Sequence, residues 1–223
     1  MEVYAQPFWT PKAGNSEVEY EDAFYPPHII EAKTNSFRFA IADGATETSF
    51  AKLWAQLLVK AVGKGRLDPV CPDRTLTKLR SCWQRVVSRK SLPWYAEEKV
   101  RLGAFSSILG LSLSEDLTGR YWNACAIGDC CLFHVRGNNL LRSFPLSHSS
   151  EFNNRPRLIS SIPECAAASG RLTSLQGVYV KVLFVWLPVG EVDRSGDTLS
   201  FYIGPVSTSF PLSDFAHSPH CRG

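Results

Sequence analysis

Three acidic stretches of the chain adjoin apolar runs, and together they could hold a metal ion. Glu21 and Asp22 begin one apolar segment, Asp43 ends another and is followed by Gly44, and Asp129 lies between two more. A carboxylate at the end of a buried strand is held rigidly while its oxygens face a cleft. Mg²⁺ and Mn²⁺ prefer such oxygen ligands, and two of these ions can activate water at a phosphoryl group. The residue types therefore indicate a hard-metal site.

Plainer roles for the same residues stay open on spacing alone. Glu21 and Asp22 would serve equally well as a solvated pair at a strand end, and Asp43 as a helix N-cap. Other phosphate chemistries have less support. A nucleophile motif of the Asp-x-Asp kind would need a second aspartate where Ala45 stands, and the chain contains no Gly-x-x-x-x-Gly-Lys-Ser/Thr loop.

Composition is typical of one ordinary globular domain. The chain has 223 residues, of which 44% are hydrophobic and 20% charged, and this length suffices for a sizeable core. The net charge is only +3 and no long basic block occurs, so we expect no nucleic-acid partner. The seven cysteines form no Cys-x-x-Cys pair, which argues against a zinc ribbon. Cys130 and Cys131 are most simply interpreted as buried strand thiols.

Targeting signals are not visible in the sequence. The first residues lack a basic region followed by an apolar one, so we expect no signal peptide and a cytoplasmic location. The most apolar run, 178–189, is shorter than the roughly 20 residues of a membrane span and contains Lys181. We therefore expect a buried strand pair there and no membrane partner.

Hydrophobic periodicity predicts the elements that must position the acids. Two helical stripes begin at residues 48 and 75, and the first ends at the glycines 63 and 65. A shorter helix is predicted near 94–100, and a loop-rich segment over 147–163. The predicted strands cover 3–11, 20–25, 37–42, 104–113, 120–129, 130–136 and, after a hairpin turn at 137–139, 140–144.

Three motifs occur in the order of a known enzyme family. The Glu-Asp of 21–24, the Asp-Gly of 42–46 and the Gly-Asp of 126–130 resemble the successive signatures of the metal-dependent type 2C Ser/Thr protein phosphatases, bacterial-type branch. The resemblance extends from about residue 3 to residue 163. It implies an α+β fold, a four-layer α-β-β-α sandwich of two antiparallel sheets flanked by helices, with metals at one end.

The resemblance also implies roles for individual residues. Asp43 would bridge two Mn²⁺ or Mg²⁺ ions, and Gly44 would give its carbonyl to one of them. Glu21 and Asp22 would bind metal directly or through water, and Asp129 would lie near an accessory metal or support the site. Asp43 and Asp22 would thus serve catalysis, in which water attacks a phosphoserine or phosphothreonine. The implied partner is a phosphoprotein, such as the target of a Ser/Thr kinase, and we expect a monomer.

Departures from the family pattern lie at both ends of the chain. Glu17 stands where the family often has a phosphate-binding arginine, for which Lys12 is the only nearby substitute. After Ser195–Phe201 the aspartate expected on the next strand is absent. The codons for the peptide that follows residue 201, if they are read in a frame shifted by one base, are compatible with the missing segment. We therefore predict a phosphatase-like domain over 1–201 and an atypical tail over 202–223 that is truncated or frameshifted relative to the family.

Three interpretations follow. The first is a Mg/Mn-dependent Ser/Thr phosphatase, and the second is a catalytically impaired phosphatase-like domain that binds phosphoproteins without turnover. The third is a metal-binding β-sandwich whose motif matches are accidental. Substitute metal ligands would be Asp193, Asp197 and Asp214. Arg155 and Arg157 would form either a substrate-facing rim or an ordinary solvated loop.

Overall fold

In the computed structural model, the described residues form two large antiparallel sheets, a two-stranded ladder and three helices. The side chains of the strands at 183–188 and 200–203 are not described, so only their backbone enters the account below. The described residues are 1–8, 21–45, 50–67, 72–136, 139–148, 151, 156–163, 172–178, 183–188 and 200–203.

The elements alternate along the chain as short strands, a helical block and then mostly strands. The helices are α1 (Ala51–Gly63), α2 (Asp73–Val87) and α3 (Trp94–Leu102). The strands are β1 (Glu2–Phe8), β2 (Ala23–Tyr25), β3 (Ile30–Lys33), β4 (Ser36–Ala42), β5 (Phe105–Ser106), β6 (Ile108–Glu115), β7 (Arg120–Ile127), β8 (Cys130–Arg136), β9 (Asn139–Phe144), β10 (Ile159–Ser160), β11 (Thr173–Val178), β12 (Leu183–Pro188) and β13 (Ser200–Ile203).

Strand pairing is antiparallel throughout the described residues. One sheet has five strands in the order β11-β7-β6-β4-β2, and the other has six in the order β3-β1-β13-β12-β8-β9. Strands β5 and β10 form a separate two-stranded ladder. In the five-stranded sheet, the pairs β2–β4 and β6–β7 are close in sequence, whereas β4–β6 and β7–β11 are distant. In the six-stranded sheet, β13 and β12 lie between β1 and β8 although they come from far along the chain.

The space between the sheets holds one hydrophobic core. In β4, Phe39 and Ile41 face this core, while Ala40 and Ala42 face the helices, as the two-residue period of a strand requires. From the other sheet, Val3 of β1 contributes to the same core. Burying both faces of the second half of β4 explains why residues 39–42 form a continuous apolar run.

A second core lies between the five-stranded sheet and the helices. Trp54 of α1 is fully buried there, and its indole N–H donates to the carbonyl oxygen of Ile159 at 2.9 Å. A Cβ at Gly110 of β6 would lie 2.4 Å from a methyl carbon of Val62, so glycine is what lets α1 approach the sheet. Trp83 brings α2 into this core.

Comparison with the predicted elements confirms the α+β class and the two-sheet sandwich. The helix predicted from residue 48 begins at Ala51, and the loop predicted over 147–163 contains the short strand β10. Strand β3 was not predicted, because its alternation of apolar and charged residues extends over only four residues. The described residues contain no helix against the six-stranded sheet, so the fourth layer is not seen in them. None of the three described helices is long and apolar enough to cross a membrane.

Candidate metal centre

Asp22 and Asp43 lie next to each other at the ends of neighbouring strands. Strands β2 and β4 pair with Ala23 opposite Ala42, so one further step along this register sets Asp22 opposite Asp43. Phe24, two residues from Asp22, contacts the core between the sheets, and so does Ile41, two residues from Asp43. Strand alternation therefore places both carboxylates at the same end of the sandwich. Both residues are partly exposed.

Gly44 fills a position that leaves no room for a side chain. A Cβ at this residue would lie 2.8 Å from the carbonyl oxygen of Glu21 and 3.1 Å from the backbone of Ala51. Glycine is thus required where β4 leaves the sheet beside the start of α1, and the backbone of Glu21 reaches the same place. The alternative that Asp43 is a helix N-cap is wrong, since α1 begins at Ala51 and its N-cap is Phe50.

Asp129 reaches this end of the sandwich from the turn between β7 and β8. Gly128 has φ 93°, a left-handed conformation that glycine adopts without strain, and this sharp turn presents the next side chain to the cleft. Burial raises the pKa of the Asp129 carboxyl group. Hydrogen bonds from its own backbone N–H and from Ser107 oppose that increase, and the nearby Asp22 carboxylate adds to it.

The thiol of Cys130 lies within the influence of three carboxylates. Burial raises the pKa of Cys130 well above its usual value, and the charges of Asp43, Asp129 and Asp22 raise it further. The side chain is fully buried, so it stays a neutral thiol and is a poor metal ligand or nucleophile. Burial also raises the pKa of Cys131 to about 12. The interpretation of this vicinal pair as buried strand thiols is confirmed.

Two serines that the sequence analysis did not single out fix the backbone at Asp43. The backbone N–H of Ser107 donates to the carbonyl oxygen of Asp43 at 2.9 Å, and the Ser106 hydroxyl, which has one proton, lies 2.8 Å from that oxygen and 2.7 Å from the carbonyl oxygen of Ser107. Two residues further, the N–H of Ala45 donates to the carbonyl of Phe105 at 3.0 Å. The signal in the sequence was a pair of hydroxyls inside an otherwise apolar run, and both are fully buried.

The donor chemistry of this cluster fits a divalent cation. Asp22, Asp43 and Asp129 lie at the same end of the sandwich, and carboxylate oxygens are the ligands that a hard cation prefers. Within the described ranges, however, no three acidic, histidine or cysteine side chains are already arranged to coordinate one ion. The predicted ligands are thus brought together as neighbours but not as a finished coordination cage.

Other predicted site residues are only partly covered by the structure. Arg157 is exposed, and its carbonyl oxygen would lie 3.3 Å from a Cβ at Gly128, so this loop passes beside the turn that carries Asp129. The remaining candidates lie outside the described residues: Lys12, Arg155, Asp193, Asp197 and Asp214.

Comparison with known proteins identifies the fold. The structure of RsbX in complex with magnesium matches with a TM-score of 0.52 and 16% identity, over 91% of this chain and 94% of that one. The Mycobacterium tuberculosis serine/threonine phosphatase PstP/Ppp matches with a TM-score of 0.57 and 11% identity, over 91% and 98%. The photosystem II phosphatase PBCP matches with a TM-score of 0.52 and 16% identity, over 87% and 69%.

Comparison of the sequence alone gives a different and shorter match. Residues 161–216 match the model of a family described as a protein of unknown function, DUF538. No curated protein matches the chain. The DUF538 match covers about a quarter of the chain and continues through residue 202, where the atypical tail is predicted to begin. The chain therefore has the fold of the serine/threonine phosphatases named above, with a C-terminal segment similar to DUF538.

Proposed function

We propose that this chain is a Mg²⁺- or Mn²⁺-dependent protein serine/threonine phosphatase. The observation that supports the proposal is that Asp22, Asp43 and Asp129 lie near the buried Cys130 thiol at one end of the sandwich. Three carboxylates on three separate segments are costly to bring together unless a cation offsets their repulsion. The fold shared with serine/threonine phosphatases supports the same conclusion.

The proposed reaction is hydrolysis of a phosphoserine or phosphothreonine ester. Water forms a new bond to phosphorus, the bond from phosphorus to the serine or threonine oxygen breaks, and that oxygen takes a proton. When bound, the cations supply positive charge for the phosphoryl oxygens and the attacking water. Asp43 and Asp22 would hold them, with Glu21 and the Gly44 carbonyl completing their shell. Asp129 would support the cluster from the β7–β8 turn.

A second candidate is a phosphatase-like domain that binds phosphoproteins without turnover. It is favoured by the composition of the C-terminal strands, because β11, β12 and β13 contain no Asp or Glu. The resemblance calls for further acidic ligands in that part of the chain. A centre with ligands on one side only would hold its ions weakly and catalyse poorly.

Turnover of p-nitrophenyl phosphate and of a phosphothreonine peptide by the full chain, with and without Mn²⁺, separates the two candidates. We expect Mn²⁺-dependent hydrolysis that Asp43→Asn abolishes. Asp73→Asn, which removes an exposed carboxylate at the start of α2, should leave it unchanged. Calorimetric binding of Mn²⁺ and phosphopeptide without hydrolysis would instead support the binding domain, and the enzyme proposal would then be rejected.

Partners and location follow from the same proposal. A phosphoprotein modified by a serine/threonine kinase would be the substrate, the protein would act as a monomer, and it would work in the cytoplasm. Light scattering of the purified chain checks the monomer, and fluorescence microscopy of a tagged chain checks the location. A dimer mass, or fluorescence confined to another compartment, would contradict these two points independently of activity.

A further inference from the structure

We propose that the C-terminal end of α2 is a docking surface for acidic residues that flank the phosphorylated residue of a substrate protein. This α2 basic surface consists of Arg85, Arg89 and Lys90, whose side chains are all exposed. The proposal rests on the proposed function, since it names the class of phosphoprotein that would reach the metal centre.

Basic residues are concentrated in α2 and in the segment that follows it. Between Arg74 and Ala96 the chain contains no Asp or Glu. The same stretch has six basic residues, which are Arg74, Lys78, Arg80, Arg85, Arg89 and Lys90. Within the described part of the chain, none of the three residues of the α2 basic surface forms an ion pair. A surface with charge of one sign attracts ligands of the opposite sign.

Contacts between the first two helices show which end of the sandwich this surface occupies. Near the end of α2, the Trp83 indole N–H donates to the carbonyl oxygen of Phe50 at 3.3 Å, and the Lys90 ammonium lies 5.5 Å from the centroid of the Phe50 ring. Near the start of α2, the Thr75 hydroxyl donates to the carbonyl oxygen of Arg66 at 2.7 Å. The two helices are therefore antiparallel, and the end of α2 lies beside the start of α1.

The start of α1 adjoins the candidate metal centre. A Cβ at Gly44 would lie 3.1 Å from the backbone of Ala51, and Phe50 directly precedes Ala51. The α2 basic surface is thus connected to Asp43 and Gly44 through the first residues of α1. An extended peptide advances about 3.3 Å per residue, so residues a few positions from a phosphoserine at the metal centre can reach this surface.

Charge complementarity and size identify the occupant as a short acidic segment of protein. Guanidinium and ammonium groups bind carboxylates through charge-assisted hydrogen bonds. Lipid headgroups are recognised by clusters of about four to eight basic residues, and nucleic acids by contacts along a phosphate backbone. Three basic residues at one helix end fit a short segment better than either of these extended surfaces.

Steady-state hydrolysis by the full chain in Mn²⁺ tests the docking surface. The probes are two phosphothreonine peptides, one flanked by glutamates and the other by glutamines. Exposed ion pairs are individually weak, so we expect Arg85→Gln/Arg89→Gln/Lys90→Gln to raise KM for the glutamate peptide about tenfold. Its kcat, the KM for the glutamine peptide and the turnover of p-nitrophenyl phosphate should stay unchanged.

A matched control separates local docking from net charge and from helix stability. Lys64, Arg66 and Arg74 are also exposed, and they lie at the opposite end of the two helices, about 20 Å away along the 13 residues of α1. Lys64→Gln/Arg66→Gln/Arg74→Gln removes the same charge and likewise removes a cation after a helix C-terminus. It should leave KM for the glutamate peptide unchanged. Equal increases of KM in the two triple variants, or a parental KM in the first, would overturn the proposal.

A binding measurement tests docking even if the parent hydrolyses neither peptide, a result that would defeat the proposed function alone. Fluorescence anisotropy of the labelled peptides should show tighter binding of the glutamate peptide by the parent, and this preference should shrink in salt. The Arg85→Gln/Arg89→Gln/Lys90→Gln variant should lose the preference. Equal binding of both peptides by the parent would refute the docking surface. Competition by phosphatidylserine vesicles or a single-stranded oligonucleotide, but not by the unlabelled glutamate peptide, would refute the proposed occupant.

Discussion

The N-terminal and C-terminal strands contribute to this molecule in different ways. Strands β2, β4 and β8 bring Asp22, Asp43 and Asp129 to one end of the sandwich, each at or beside a strand end. Strands β11, β12 and β13 complete the two sheets but have no acidic residue within their bounds. The first region supplies architecture and the proposed metal ligands, whereas the second supplies architecture.

The difference shows that sheet pairing tolerates sequence change in a way that a metal centre does not. Backbone N–H and carbonyl groups are the same in every strand, so β12 and β13 can fill the gap between β1 and β8 with many sequences. A ligand set needs particular side chains at particular positions. A chain can therefore keep the phosphatase fold after part of the chemistry has gone.

A proline substitution in β12 tests whether the C-terminal strands complete the sheet, and it should have the largest effect on stability. Val185 pairs with Phe133 on one side and with Tyr202 on the other, so its N–H points into a ladder whichever side it faces. Val185→Pro removes that hydrogen bond and should lower the free energy of unfolding by about 3 kcal/mol or more. Urea denaturation followed by circular dichroism measures the loss.

Val185→Thr is the control, since it keeps the N–H and the β-branched shape. It should lower the free energy of unfolding by only roughly 1 kcal/mol, which is much less than the proline does. Equal stability of the proline variant and the parent would mean that β12 is not an inner strand. The C-terminal segment would then not complete the sheet.

Replacing the acidic side chain of Asp22 tests the proposed metal centre. A ligand that binds only the folded state adds about 2.7 kcal/mol of stability at a concentration of 100 times its dissociation constant. The parent should gain about this much in Mn²⁺ at that concentration. Asp22→Asn should gain about half as much or less, because its affinity falls at least tenfold.

Thermal melts of both proteins in Mn²⁺ and in chelator measure these gains. Asp73→Asn again serves as the control with an exposed carboxylate removed. If Mn²⁺ stabilised Asp22→Asn as much as the parent, the stabilising ion would bind elsewhere. The proposed role of Asp22 in the metal centre would then be rejected.

Much of the acidic end could be predicted from sequence because its signals are local. Asp43 follows a continuous apolar run, and such a run is what a strand buried on both faces looks like. Asp129 follows a glycine inside two apolar segments, which indicates a tight turn. The roles of Ser106 and Ser107 were not predictable, because their partners lie 63 residues away in one case and 23 in the other.

The C-terminal strands were harder to place for a related reason. Their pairing with β1, β7 and β8 joins distant parts of the chain, and no local pattern encodes which strands become neighbours. Strand β13 extends over Ser200–Ile203 and so crosses the predicted boundary between residues 201 and 202. The domain boundary and the frameshift stay predictions, which the nucleotide sequence would test.

The DUF538 match suggests another reason for the missing acids. It begins at residue 161, close to residue 163, where the resemblance to the phosphatases ends, and runs to residue 216. A C-terminal segment of different ancestry would lack the family's later aspartates without any shift of reading frame. An uninterrupted reading frame through codon 202 would favour this explanation, and a displaced phosphatase-like frame would favour the frameshift.

Replacing the Asp129 carboxylate with a neutral amide tests whether the carboxylates at this end of the sandwich lower the stability of the protein. The folded-state pKa of Asp129 is raised, mainly by burial, so its favourable contribution is present below the ordinary value of 3.8 and is lost as pH rises through the folded pKa. Asp129→Asn should therefore be more stable than the parent at pH 7 in chelator, by about 1 kcal/mol, while binding Mn²⁺ more weakly. Lower stability of this variant in chelator would contradict the expected cost.

His134 tests the strand where the two regions meet, with the smallest expected effect. It lies on β8 opposite Phe184 of β12 and Arg142 of β9, with its ring 5.9 Å from that of Trp122. Burial lowers the pKa of His134, and the charges of Arg136 and Arg142 lower it further. Protonation is thus disfavoured in the folded state, so stability should fall as pH drops from the ordinary value of 6.5 through the folded pKa. His134→Gln should flatten that slope in pH-dependent urea melts. An ordinary histidine pKa by NMR would mean that β12 does not cover β8 as the structure has it.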